Sequence, residues 1–244
     1  MNIAEQIIDV TSSDTGEAMA VSVMHPEDGQ RHPTIAIFHD APGIRGSTFD
    51  FARRLAAEGY RVVTPDLHHR HGRMIGYEAS QVTPEVQAHV REMLVSMTDD
   101  GIQQDLDDAL GAIDLADDEK LGTIGFCLGA RAIFRTLMRL PDRFVVGSTW
   151  HPSMLVDDGD DSPHLTAAQL VQPLYLGIGT DDKVQSIEMQ QGFFDAVEPL
   201  PHVEVNIFEG ADHGFTWPSS PNYHELAATQ SWNKTTTLFA AALL

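Results

Sequence analysis

The chain has 244 residues, 42% of them hydrophobic and 21% charged, with no low-complexity tract and no repeat at a fixed period. That composition suits one soluble domain over residues 1–244, folded around a continuous core. Fifteen Lys and Arg stand against 36 Asp and Glu, a formal net charge of −21, which repels a nucleic-acid backbone and offers no basic stripe to an anionic membrane surface.

One cysteine cannot close an internal disulfide, and the opening "MNIAEQIIDV" lacks a basic-then-apolar leader. The longest plain apolar run, residues 238–244, falls far short of the roughly 20 residues that span a bilayer. These features point to a cytoplasmic protein.

Along the chain, "IAEQIIDV" and "EAMAVSVMHP" are β-type runs joined by "TSSDTG", whose Ser, Asp and Gly suit a turn, so a hairpin is expected first. The apolar "TIAIFHD" follows, then "STFDFARRLAAEG", an amphipathic helix with Ser47 or Thr48 as N-cap and Gly59 as C-cap. The alternation continues with the strand "RVVTPDL", the helix "GIQQDLDDALGAIDLA", the strand "LGTIGF", the helix "ARAIFRTLMRL" and the strand "RFVVGSTW". It closes with the strand "PLYLGIG", the helix "VQSIEMQQGFFDAV", the strand "VEVNIF" and a final helix within residues 222–244. About eight strands alternating with helices predict an α/β fold: a mostly parallel sheet covered on both faces. Residues 66–82 and 152–164 break the rhythm just after strands, where open α/β sheets bind ligands.

The single cysteine sits in "IGFCLGAR", between a predicted strand and a predicted helix. G-x-C-x-G in that context is the pattern of a nucleophile elbow. The central residue is lifted above the sheet, the flanking glycines let strand and helix approach, and the next amide, that of Leu128, points at a developing oxyanion. An ordinary thiol has a pKa near ~8.5 and needs a base or a positive neighbour to become a good nucleophile. The base candidate is His213 in "EGADHGF", after the last strand. Asp181 or Asp182 in "GTDDKV" would orient it, and the order nucleophile, acid, histidine is usual for such a fold.

With these residues in place the chain resembles the dienelactone hydrolase family of the α/β-hydrolase fold, through "GFCLGAR", "GTDDKV", "EGADHGF", "FHDAPGI" and "PDL". The resemblance implies a Cys127, His213 and Asp181 triad. It favours Asp181 because the family's acid lies two residues after a Gly and three before a Val, matching Gly179 and Val184. It also implies a carboxylate, Asp40, in contact with the resting thiol, and an oxyanion hole pairing the Ala41 amide with that of Leu128. Founding members carry an arginine four residues after the histidine, where this chain has Trp217. A planar apolar ring lacks a guanidinium's forked donors, so the expected substrate is a less anionic or more aromatic ester, lactone or thioester.

Trp217, His151 and Arg70 are candidate pocket residues. "HHRH" at 68–71 lacks a second ligand cluster at zinc spacing, "DDGDDS" lacks the frame of a calcium loop, and no glycine-rich phosphate loop appears, so neither metal nor cofactor is expected. The expected activity is hydrolysis of a small-molecule ester or lactone through an acyl-cysteine. Two other classes compete with it: a non-catalytic small-molecule binder on the same fold, and a redox-sensing thiol, although no second cysteine is present to resolve a sulfenic acid. Oligomeric state is not encoded in any motif.

Overall fold

A computed structural model describes residues 2–244. Eight strands form one sheet in the order β1-β2-β4-β3-β5-β6-β7-β8. The hairpin β1 (Ile3–Thr11) and β2 (Ala18–Pro26) pairs antiparallel and joins β4 (Arg61–Pro65) antiparallel. From there the sheet is parallel through β3 (Thr34–Phe38), β5 (Leu121–Phe126), β6 (Phe144–Trp150), β7 (Leu174–Gly179) and β8 (Val203–Phe208). β3 and β5 are buried along their whole length, which is why they read as continuous apolar runs rather than alternating ones.

Each face of the sheet is closed by helices whose apolar stripes follow a 3.6-residue period. On one face, α1 (Gly46–Ala57) presents Phe51, Ala52, Leu55 and Ala56 to a core shared with Trp150, Trp232 and Phe239, the last two from α7 (Glu225–Leu243). On the other face, α4 (Gly129–Arg139) buries Ala130, Ile133, Phe134 and Leu137. There they meet Ile102 and Leu106 of α3 (Asp99–Gly111) and Phe193 of α6 (Ile187–Val197). Each such large side chain contributes about 1.5–3 kcal/mol on leaving water.

Several boundaries differ from expectation. α1 starts at Gly46, with Arg45 at the cap position, and Gly59 (φ +98°) follows the cap residue Glu58. α3 ends at Gly111, earlier than residue 116. Helix α2 (Pro84–Ser96), capped by Thr83, was not anticipated, and only its Met93 is buried. A four-residue helix, α5 (Pro163–Thr166), ends the second irregular stretch. No described helix is long and apolar enough to cross a membrane.

Candidate active site

Five neighbouring parallel strands, β3, β5, β6, β7 and β8, deliver their carboxyl ends to one rim of the sheet, and the candidate residues follow from it. At the end of β5, Cys127 adopts a left-handed conformation, φ +55°, unusual for a residue with a side chain and characteristic of strained functional turns. The glycines around it are steric necessities. A Cβ on Gly125 would lie 2.3 Å from the Gly129 carbonyl oxygen, and one on Gly129 would lie 2.4 Å from the Phe38 carbonyl oxygen. The elbow thus presses α4 against both β5 and β3.

His213 approaches from the loop after β8. Its Nδ1–H donates to Asp182 Oδ2 at 2.8 Å, and its carbonyl accepts from Asn222 Nδ2 at 2.8 Å. Asp182 is buried, and its other oxygen accepts from the Val184 and Gln185 amides at 2.9 and 2.8 Å. The acid beside the histidine is therefore Asp182, not the expected Asp181. The reason is a contact between two loops: the Asp181 amide donates to the Ala211 carbonyl at 3.0 Å, which turns its exposed side chain outward to accept only the Thr180 hydroxyl at 3.0 Å. The next residue then points inward.

Burial raises the Cys127 thiol pKa, but the charge of the neighbouring His213 imidazole and the Ser153 hydroxyl outweigh it and hold the thiol below its ordinary range. Burial lowers the His213 pKa, yet the Cys127 charge and the Asp182 carboxylate together push it up to about 10. Among the described residues His213 Nε2 has no hydrogen-bond partner, so its coupling to the thiol is chiefly charge with charge. Ser153, which no sequence motif flags, reaches the elbow twice: its amide donates to the Cys127 carbonyl at 2.9 Å and its hydroxyl lies 3.5 Å from Sγ. The Leu128 and Ala41 amides donate to no protein acceptor among the described residues, leaving both free for an anionic oxygen.

Asp40 makes no hydrogen bond to the thiol among the described residues and acts on it through its charge alone. Its buried carboxylate is clamped by Arg45, with Nη1 on Oδ1 at 2.5 Å and Nη2 on Oδ2 at 2.8 Å, and Oδ2 also accepts Trp217 Nε1–H at 2.8 Å. Burial would raise the Asp40 pKa, but Arg45 beside it keeps the carboxyl below the usual carboxylate range. Arg45, absent from the sequence-derived candidates, also lies over the Trp217 ring at 4.9 Å.

Trp217 is buried against Phe126 and Phe51 and lines a cavity of about 280 Å³ with Phe51, Trp150 and Tyr223. A different cavity, about 410 Å³, touches the elbow at Leu128 and is lined by Leu94, Met97, Ile102, Arg131, Met154 and the carboxylates of Asp99 and Asp157.

His151 (φ +41°) is fully buried, its ring edge-on to His213 at 4.8 Å, and neither ring nitrogen has a hydrogen-bond partner among the described residues. Burial and the neighbouring His213 hold it well below the ordinary imidazole range, hence neutral. Arg70 is not a pocket residue: Asp105 and Asp14 occupy its guanidinium. Around it, His68 turns to the Ala41 carbonyl, His69 to Asp105 and His71 to Ser96. These rings diverge, and among the described residues no group of three or more His, Cys, Asp or Glu side chains is placed to hold a metal ion.

A profile of the dienelactone hydrolase family matches residues 19–243. The chain belongs to that family. It is a hydrolase of the α/β-hydrolase fold. A carboxymethylenebutenolidase from Rhodococcus opacus is 27% identical over 215 residues, 84% of this chain and 80% of that one. A Methylorubrum extorquens protein named for the same activity is 27% identical over 219 residues, covering 86% and 72%. A crystal structure named for a Klebsiella pneumoniae dienelactone hydrolase superposes with a TM-score of 0.82 at 22% identity, covering 98% of this chain and 99% of that one.

Proposed function

We infer that this dienelactone hydrolase-family protein cleaves a carboxylic ester or lactone through an acyl-cysteine on Cys127. The observation that carries this reading is the single cysteine in its left-handed elbow, coupled to His213, which donates to Asp182 at 2.8 Å. Cys127 Sγ, poised toward thiolate by the imidazolium, attacks the carbonyl carbon, and the free Ala41 and Leu128 amides take the charge that moves onto the carbonyl oxygen. Collapse of that intermediate expels the alcohol, which collects its proton from His213. Water, deprotonated by His213, then releases the acid. Asp182 holds the imidazole in the tautomer that exposes Nε2 to the thiol and offsets its charge.

A small ester, lactone or thioester suits a cavity of about 410 Å³ beside the elbow. The pairing of Arg45 with Asp40, and Trp217 at the fourth position after His213, favour an uncharged substrate over an anionic one. The test is turnover of activated esters and lactones by the wild type, Cys127→Ala and His213→Ala, with mass spectrometry of a quenched reaction. Turnover lost in Cys127→Ala and an acyl mass on the Cys127 peptide are expected. Hydrolysis unchanged in Cys127→Ala overturns the nucleophile, and ligand retention without turnover or adduct makes the protein a binder.

A further inference from the structure

The Ala41 amide is half of the peptide unit whose other end is the Asp40 carbonyl, so whatever grips that oxygen aims that N–H. Two donors grip it: the Gly43 amide at 2.9 Å and His39 Nδ1 at 2.8 Å. The His39 tautomer is fixed from the far side, because the Leu67 amide donates to Nε2 at 3.2 Å. Nε2 is therefore the unprotonated nitrogen and Nδ1 carries the proton. The following carbonyl, that of Ala41, accepts from His68 Nε2–H at 2.9 Å, and the His68 ring packs edge-on to His39 with centroids 4.9 Å apart. Both peptide planes flanking the Ala41 Cα are thus pinned by imidazoles that reach none of the reacting atoms.

We propose that His39 is a positioning residue for the oxyanion hole: from beneath the β3 loop, its Nδ1–H holds the Asp40–Ala41 peptide so that the Ala41 N–H faces the developing oxyanion. The inference rests on the hydrolytic reading above. His39 is fully buried, and burial, with His68 beside it, brings it down to about 3, so it stays a neutral, single-tautomer donor over the range in which the enzyme works. Through Leu67 it also ties the loop after β3 to the loop after β4, so the aim of the amide is set by two strand ends rather than by one flexible turn. A donor on the carbonyl further polarises the same peptide, which makes its N–H a better hydrogen-bond partner for an anion.

The test separates the amide from the nucleophile. An asparagine at 39 can keep a donor near the Nδ1 position, whereas a glutamine reaches the Nε2 position and a leucine carries neither. kcat and KM are measured on p-nitrophenyl butyrate for the wild type, His39→Asn, His39→Gln and His39→Leu. Alkylation of Cys127 by iodoacetamide, a displacement at carbon that forms no oxyanion, is followed in the same proteins from acid to alkaline pH.

His39→Gln and His39→Leu are expected to lose about ten- to a hundredfold in kcat, up to the lower end of what deleting one oxyanion donor costs, with KM little changed. His39→Asn should recover most of that loss, and all four proteins should alkylate at the same rate with the same pH profile. Wild-type kcat in His39→Gln, failure of His39→Asn to recover, alkylation falling in parallel with kcat, or loss of folding in all three variants would each overturn the inference. Absence of wild-type turnover overturns the hydrolytic reading and this inference with it. Turnover abolished by Cys127→Ala but indifferent to residue 39 overturns this inference alone.

Discussion

Replacing Asp182 by Asn separates the two adjacent aspartates. In the wild type, Oδ1 accepts the Val184 and Gln185 amides at 2.9 and 2.8 Å while Oδ2 accepts His213 Nδ1–H at 2.8 Å. The two amides hold an asparagine's oxygen at the Oδ1 position, so its NH2 must face the imidazole. Two donors cannot share that contact, and His213 changes tautomer: Nδ1 becomes the acceptor and the proton moves to Nε2, which can no longer take one from the thiol. Loss of the correct tautomer in an acyl-transfer triad lowers kcat by about 10⁴-fold, or roughly 5 kcal/mol of transition-state stabilisation. Asp181, exposed and bound only to the Thr180 hydroxyl, should retain kcat within about twofold on conversion to Asn, as for surface substitutions away from special contacts. The assay is steady-state hydrolysis of p-nitrophenyl butyrate by Asp181→Asn and Asp182→Asn, with thermal melts to confirm that both fold. A larger loss in Asp181→Asn, or wild-type kcat in Asp182→Asn, refutes the reasoning.

Alkylation of Cys127 should become half-maximal below the ordinary thiol value of about 8.5, because the thiol pKa is held down. The thiolate appears as pH rises through that lowered value, and hydrolysis falls again as His213 loses its proton near 10. A lower limb at or above the ordinary thiol pKa would contradict the ion pair. Arg45→Met strands the Asp40 carboxylate, whose side chain is 6% exposed, and should cost about 3–5 kcal/mol in urea unfolding. Adding Asp40→Asn should return part of that loss, and an unaltered midpoint in the single variant would show the pair to be energetically idle. Gly129→Ala places a Cβ 2.4 Å from the Phe38 oxygen, so soluble expression and the melting temperature should both drop; a wild-type melt would disprove the close approach.

The sheet and the elbow were legible because their signals are local. G-x-C-x-G encodes a steric requirement that either glycine's Cβ would violate, and buried strands such as β5 announce themselves as apolar runs. Helix α2 hid because it buries little more than Met93, so no apolar stripe marks it. The choice between Asp181 and Asp182 turns on the Asp181 amide meeting the Ala211 carbonyl, a contact thirty residues away that no local pattern carries. Arg45 and Ser153 escaped for the same reason: one is recruited by Asp40 and Trp217, the other by the elbow carbonyl, and neither partner lies in a recognisable spacing. The orientation of Asp40 was hidden likewise, because Arg45, five residues on, grips both carboxylate oxygens.

The arginines beside the elbow are already spoken for: Arg45 by Asp40, and Arg131 by Asp99 and Asp157. With 36 acids against 15 basic residues over the chain, a diffusing carboxylate meets a repulsive atmosphere and must displace an existing partner to dock. Ionic strength then becomes a reporter of substrate charge. Capture of an anionic ester should speed up as salt collapses the field to within a Debye length of about 10 Å at 0.1 M. Capture of a cationic one should slow, and a neutral one should be indifferent.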